Sequence, residues 1–174
     1  MPRRTLGVLA VIAAAGLALA ACDQQQASNQ GGNSSAPAPS TAAQADLSPE
    51  GNQKFLDENA KKEGVKKTTS GLQYRVIKAG AGKSPAVTNQ VTVTYKGWLI
   101  DGTVFDQTDP GQSATFPAGA LIPGWVEALQ LMKEGDEWEI VIPSDLGYGP
   151  AGAGGVIPPN QTLVFNMALL KVVQ

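Results

Sequence analysis

Between residues 72 and 169 the chain repeats one pattern, apolar and polar residues in alternation, and breaks it with a single convincing helical period. Residues 72–76, 91–95, 137–142 and 163–169 alternate, which predicts half-buried antiparallel strands. The exception, residues 123–134, places Trp125, Ala128, Leu129 and Met132 at i, i+3, i+4 and i+7, with Gly135 where the chain should leave. One helix must then cover one sheet. The fold class is α+β: a twisted antiparallel β-sheet wrapped around one short α-helix, joined by long loops containing glycine and proline. With 174 residues, 18.0 kDa and 43% apolar residues, the chain has material for one such domain plus appendages and too little for two.

The residue counts narrow the chemistry. Histidine is absent, which removes Ser-His-Asp and Cys-His nucleophile systems, His-ligated metals and imidazole acid–base steps. The single cysteine, Cys22, excludes an intrachain disulfide and a Cys-cluster metal site, so no metal and no cofactor is expected. Thirteen Lys and Arg against fifteen Asp and Glu give a net charge of −2 and no pull toward nucleic acid.

The N-terminus explains the cysteine. A short basic region containing Arg3 and Arg4 precedes an uncharged apolar stretch over residues 6–21, the pattern of a secretory signal. At about 1.5 Å per residue that stretch reaches about 24 Å, short of a bilayer core of roughly 30 Å, so a permanent membrane span is not expected. Leu19-Ala20-Ala21-Cys22 resembles the bacterial lipobox, whose cysteine is acylated and becomes the first residue after cleavage. Ordinary cleavage after Ala20 and a coincidental cysteine are the other readings. Two or three acyl chains suffice for stable anchoring. The expected division is a signal peptide over 1–21, Cys22 with a disordered tether over 22–47, a helical lead-in over 48–69 and the folded domain over 70–174. Residues 23–47 hold almost no large apolar side chains, and at roughly 5–6 Å × √n they span about 25–30 Å.

Ser48-Pro49-Glu50 reads as a helix start with Ser48 as cap and Gly64 as a plausible stop. Asp57 with Lys61 and Glu58 with Lys62 are acid-before-base pairs four apart that support it. Its apolar stripe, Phe55, Leu56 and Ala60, is narrow. The helix is expected to dock on its own domain or on a second copy, with a monomer favoured.

Two glycine-rich segments imitate nucleotide motifs. Gly80-Ala-Gly82-Lys83-Ser84 ends like a phosphate loop, but Ile77 stands where the first glycine is needed and Pro85 where a helix should start. Gly147-Tyr-Gly149-Pro-Ala-Gly152 matches a dinucleotide fingerprint, yet Gly154-Gly155 and Pro158-Pro159 forbid the helix that would hold a pyrophosphate. Both are expected to be loops. Glu134, Asp136, Glu137 and Glu139 read as a solvated surface around a turn, with no spacing for a catalytic pair or a Ca²⁺ loop.

Nine of the ten aromatic residues, all but Phe55, lie between Tyr74 and Phe165, so the expected site is apolar. Tyr74 and Trp138 read as packing. Trp125, opening a helix after Leu121-Ile122-Pro123-Gly124, reads equally as core or as the floor of a cavity.

Six motifs occur in order: Val93-Thr-Tyr95-Lys-Gly97-Trp98, Asp101-Gly102-Thr-Val-Phe105-Asp106, Leu121-Ile122-Pro123-Gly124-Trp125, Gly147-Tyr148-Gly149, Ile157-Pro158-Pro159 and Leu163-Val164-Phe165. They resemble the FKBP family of peptidyl-prolyl cis–trans isomerases over roughly residues 70–174, and the segment from Asn52 to Tyr74 resembles the lead-in of its bacterial envelope, Mip-like members. The resemblance implies catalytic roles for Tyr95, Phe105, Asp106, Trp125, Tyr148 and Phe165. Trp125 becomes the floor beneath a prolyl ring; Tyr95, Phe105, Val156, Ile157 and Phe165 surround it, and Phe116 and Leu121 complete the wall. The Ile122 N–H and the Tyr148 hydroxyl contact substrate carbonyls, and Asp106 sits at the rim. Ala114 departs from an aromatic common in the family, and Asn166 and Ala168 replace acidic residues on the last strand.

The resemblance implies an enzyme without cofactor that accelerates X–Pro rotation in exported, partly folded proteins, binds macrolide inhibitors of the family and is held to the inner or outer membrane on its periplasmic side by lipid. The alternative is an envelope-tethered proline-binding module or holdase chaperone with little catalysis.

Overall fold

The computed structural model describes residues 45–173; the signal-like segment, Cys22 and the rest of the expected tether up to residue 44 lie outside the described residues. Helix α1 (Pro49–Asn59) comes first, followed by β1 (Val65–Lys67), β2 (Gln73–Lys78), β3 (Gln90–Leu99), β4 (Val104–Gln107) and β5 (Ala114–Pro117). Helix α2 (Pro123–Leu131), β6 (Glu137–Ile142) and β7 (Leu163–Val173) complete the chain. The seven strands form one sheet in the order β1-β2-β6-β7-β3-β4, with β5 also paired to β3, and every pairing is antiparallel.

All four expected strands are present. Three more, β1, β4 and β5, are only three or four residues long, too short to register as alternation. Strand β3 serves two of them along one edge: its first half pairs β5 through Val91–Phe116 and Val93–Ala114, and its second half pairs β4 through Trp98–Val104. This is how residues 105 and 116, on separate short strands, reach the same side of β3.

One face of the sheet carries Val91, Val93, Trp138, Ile140, Ile142, Phe165, Met167 and Leu169, all buried, and α2 covers it with Trp125, Ala128, Leu129 and the C-capping Met132. The helix ends at Leu131, three residues before the expected limit, and Gly135 (φ +95°) turns the chain into β6. Gly124 lets the first turn of α2 approach β6, because a Cβ there would stand 2.5 Å from Ile142 Cγ2. Tyr74 and Trp138 stack on this face with centroids 4.3 Å apart, as packing aromatics should.

The opposite face is also covered. Val141 and Val164, partners in the β6–β7 register, point away from α2 yet are 2% and 4% exposed. Gln73, opposite Val141, is buried and bonded to α1, which docks on its own domain as one of the two expected arrangements had it. Leu47, at the last position of the expected tether, packs against the core.

The start of α1 follows the sequence: Ser48 Oγ accepts from Gly51 N at 3.1 Å and Pro49 stands in the first turn. The end does not. The helix stops at Asn59 and the chain turns through Lys61 and Lys62 to deliver β1 to β2, so Gly64 (φ +76°) belongs to that turn. Lys61 and Lys62 therefore lie beyond the helix, and the pairs predicted with Asp57 and Glu58 do not form. Lys54 approaches Glu58 instead, at 3.9 Å, and Lys62 lies over the Phe55 ring. Nor is Asp136 part of a solvated surface. It is 5% exposed, and its carboxylate accepts from Gly80 N and from Lys133 N. Glu134 likewise accepts from Val172 N at 2.9 Å. The glycines of the phosphate-loop imitation are there for this packing: a Cβ on Gly80 or Gly82 would strike the backbone or side chains of residues 134–136.

Candidate functional site

Five rings converge where β3, β4, β5, α2 and β7 meet. Trp125, 5% exposed in the first turn of α2, is the hub: Tyr95 stands edge-on to it at 5.0 Å between centroids, Phe165 at 5.2 Å and Phe116 at 6.3 Å. Phe105 completes the set through an edge contact with Phe165 at 5.4 Å. Interplanar angles of 82–86° in these edge contacts of Trp125 with Phe165 and of Phe105 with Phe165 put positive ring edges on negative faces. Gly97 makes room for the last pair, since a Cβ there would lie 2.6 Å from the Phe165 ring and 2.8 Å from Phe105. Its place among the motifs was visible in the sequence; its reason, the approach of two rings from different strands, was not.

Polar groups ring this floor. Tyr95 Oη donates to Asp106 Oδ2 at 2.8 Å. Burial, then the bond to Asp106 and its negative charge, then the nearby Tyr148 phenol, push the Tyr95 phenol up to about 12, so it is a neutral donor at any working pH. The Ile122 N–H precedes the first turn of α2, where a helix supplies no acceptor of its own. Trp125 Nε1 is buried and has no partner among the described residues.

The remaining expected residues fall into two groups. Leu121 and Ile122 are half-buried and pack against the core, and Ile157 is 7% exposed within it. Tyr148 and Val156 stand 40% and 53% exposed on the loop between β6 and β7, and Val156 is not among the packed residues. That loop contains two short 3₁₀ turns, Ser144–Leu146 and Gly149–Ala151, as the glycine- and proline-rich sequence requires. Ala114 shares the face of Phe116 and is half-buried beside Val93. Asn166 and Ala168 alternate with Phe165 and Met167 and so face the other side of β7, along a groove with Lys96, Trp98 and Glu137 that Tyr95 also lines.

Such a site has an aromatic floor of which Trp125 and Phe165 are buried, with the Tyr95 phenol and the Asp106 carboxylate bonded to each other beside it. Among the described residues no group of three or more His, Cys, Asp or Glu converges as a metal site. The arrangement can hold a compact apolar ring and fix a peptide backbone beside it.

Residues 82–170 match the family model described as FKBP-type peptidyl-prolyl cis-trans isomerase, and residues 10–76 match that of the domain amino terminal to it. The chain is 57% identical over 120 residues to the FKBP-type 22 kDa peptidyl-prolyl cis-trans isomerase of Escherichia coli, covering 68% of this chain and 58% of that one. It is 52% identical over 119 residues to the outer membrane protein MIP of Legionella longbeachae, covering 68% and 51%. The chain thus spans about half the length of the curated relatives it matches. Among solved structures, a peptidyl-prolyl cis-trans isomerase from Pseudomonas syringae superposes with a TM-score of 0.68 at 38% identity, covering 79% of this chain and 98% of that one. FkpA from Escherichia coli gives 0.67 at 44% identity, covering 70% and 57%.

Proposed function

This chain belongs to the FKBP-type peptidyl-prolyl cis-trans isomerase family, and from that premise we propose that it catalyses rotation about X–Pro bonds in the five-ring site. The observation that carries the reading is the packing of Tyr95, Phe105, Phe116 and Phe165 with Trp125 into one aromatic cluster, with the Tyr95–Asp106 hydrogen bond beside it.

The chemistry asks for no nucleophile. The barrier to X–Pro rotation is about 18–20 kcal/mol, and raising the rate from tens or hundreds of seconds per event to about ten per second takes about 4 kcal/mol of transition-state stabilisation. A planar amide is more dipolar and better hydrated than a twisted one. Seating the proline on Trp125 strips water from the imide, which disfavours the planar ground state relative to the twisted state. The Ile122 N–H and the Tyr148 hydroxyl fix the carbonyls on either side while the bond turns. Tyr95, kept neutral, holds the Asp106 carboxylate at the rim.

In this reading the substrates are proline-containing, partly folded proteins of the cell envelope, for which X–Pro isomerisation limits folding. Macrolide inhibitors of the family occupy the same rings. Residues 1–21 act as a signal, Cys22 carries the lipid, and residues 22–47 tether a monomeric domain on the periplasmic side. The outer membrane named for the Legionella relative is in keeping with that location.

The test is turnover of a short X–Pro peptide by the full chain in mild detergent, with Phe105→Ala and Tyr148→Phe beside it. Turnover that falls at least tenfold in Phe105→Ala, and is blocked by a family macrolide, is the expected result. A folded chain without turnover that still suppresses aggregation of an unfolded protein would favour the binding-module alternative.

A further inference from the structure

A helix that only needs to dock on a sheet does so most simply with an apolar stripe, and asparagine is a poor residue for a helix interior. Yet the two residues of α1 that are buried are both asparagines, Asn52 at 4% exposure and Asn59 at 2%, seven positions apart on one face. Their bonds lead to different places. Asn59 Nδ2 donates to Gln73 Oε1 at 3.0 Å, and Gln73 Nε2 donates back to Leu56 O, so this pair fastens the helix to β2.

Asn52 reaches across 110 residues of sequence to the exit of the β6–β7 loop. Its Oδ1 accepts from the buried Thr162 N at 2.7 Å. Its Nδ2 faces Gln161 Oε1 at 3.3 Å and the carbonyls of Leu47 and Ser48 at 3.1 and 3.0 Å. Gln161 then donates to Leu47 O and Pro159 O, both at 3.0 Å. One residue before it stands Asn160, the one non-glycine residue with positive φ among those described (+59°), whose N–H donates to Gly149 O at 2.8 Å and so ties the exit of the loop to its entrance beside Tyr148. Between those ends lie Val156 and Ile157, held by bonds to Ala153. A loop closed on itself in this way moves as a unit, and its exit is joined from outside the catalytic domain by Asn52, which bonds both Gln161 and Thr162, and by Leu47 O, which of the two bonds only Gln161.

We propose that Asn52 is a positioning residue for substrate binding: by fixing Gln161 and Thr162 it sets where the loop presents Tyr148, Val156 and Ile157 to the peptide flanking the proline. The proposal rests on the isomerase reading above. The lead-in helix is then part of the binding surface's support and not only a spacer between tether and domain.

Asn59 supplies the control, because losing it weakens the same helix without touching the loop. Asn52→Ala and Asn59→Ala in the full chain are compared in thermal unfolding, in turnover of X–Pro peptides extended on both sides of the proline, and in amide hydrogen exchange. Both should lower the melting temperature, since each leaves a buried partner unpaired. Asn52→Ala alone should raise KM by about five- to tenfold with kcat within about twofold, and speed exchange at Thr162 and Asn160. Equal kinetic effects of the two variants, or wild-type KM in a destabilised Asn52→Ala, would overturn the proposal. Should wild type show no turnover, the isomerase reading fails first, and affinity for the same peptide read from Trp fluorescence replaces KM. Loss of affinity in Asn52→Ala but not in Asn59→Ala would keep the positioning role, and equal affinities would end it. If Asn52→Ala does not fold, Asn52→Asp, which keeps the acceptor for Thr162 N and loses the donors, carries the comparison.

Discussion

Helices α1 and α2 lie on opposite faces of one sheet, and both open with proline in the first turn, Pro49 and Pro123. Helix α2 buries Gly124, Trp125, Ala128 and Leu129 and makes no side-chain cap bond; α1 has a serine cap and buries only Asn52 and Asn59. The first is held by area and shape, the second by a handful of directional bonds. Apolar burial tolerates small shifts because it is non-directional, whereas an amide pair is either made or left unsatisfied. The sheet's ring-bearing face is therefore a continuous core, and its other face is latched at two points.

Trp125→Ala should break the comparison most severely. It removes the hub of the ring cluster and should destabilise the domain by about 3–5 kcal/mol in urea unfolding, with turnover lost. A loss under about 1.5 kcal/mol would mean that the surrounding rings collapse into the gap and that α2 is less dependent on shape than its packing implies. Asn59→Ala tests the latch. It strands the Gln73 amide and should cost about 1–3 kcal/mol, while Asn59→Asp should do no better, since it swaps the donor for a charge. Ser48→Ala, which removes the Gly51 cap, should cost about 0.5–2 kcal/mol and show first as faster exchange in the opening turn of α1.

The smallest effect at working pH concerns Tyr95. Its phenol keeps its proton to about 12 in the folded chain and releases it near the ordinary value of 10 when unfolded. Above pH 10 unfolding therefore releases a proton, so this contribution to stability is complete below 10 and is lost as pH rises from 10 to 12. Tyr95→Phe should flatten that limb of the stability profile. An unchanged limb would show that Tyr95 is not the group responsible.

The same contrast explains what was readable in the sequence. The face under α2 was legible because Val91, Val93, Ile140, Ile142, Phe165 and Met167 repeat at a period of two and Trp125, Ala128, Leu129 and Met132 at a helical one. The ring residues were legible through the family resemblance, which supplied Phe105 and Phe116 although β4 and β5 are too short to announce themselves. The latch was not legible. Asn52 and Asn59 look like solvent-facing residues of a charged helix, and nothing local ties them to Thr162 or Gln73. Asp136 was misread for the same reason: a carboxylate in an acidic run looks solvated until the backbone N–H groups that face it are known. Contacts made by directional bonds across long sequence separations leave no periodic trace.

Strand β7, which follows the other six strands in chain order, lies in the middle of the sheet, paired to β6 on one side and along its length to β3 on the other. Until residues 163–173 arrive, β2 with β6 and β3 with its two short partners are separate fragments, each exposing an apolar face. The chain cannot finish its core in the order in which it is made, and the long-range closures it then needs are the slow kind. Loss of the whole of residues 163–173 should then cut the sheet at its centre, whereas loss of residues 171–173 alone would free only the start of β3 and leave the β6–β7 pairing intact.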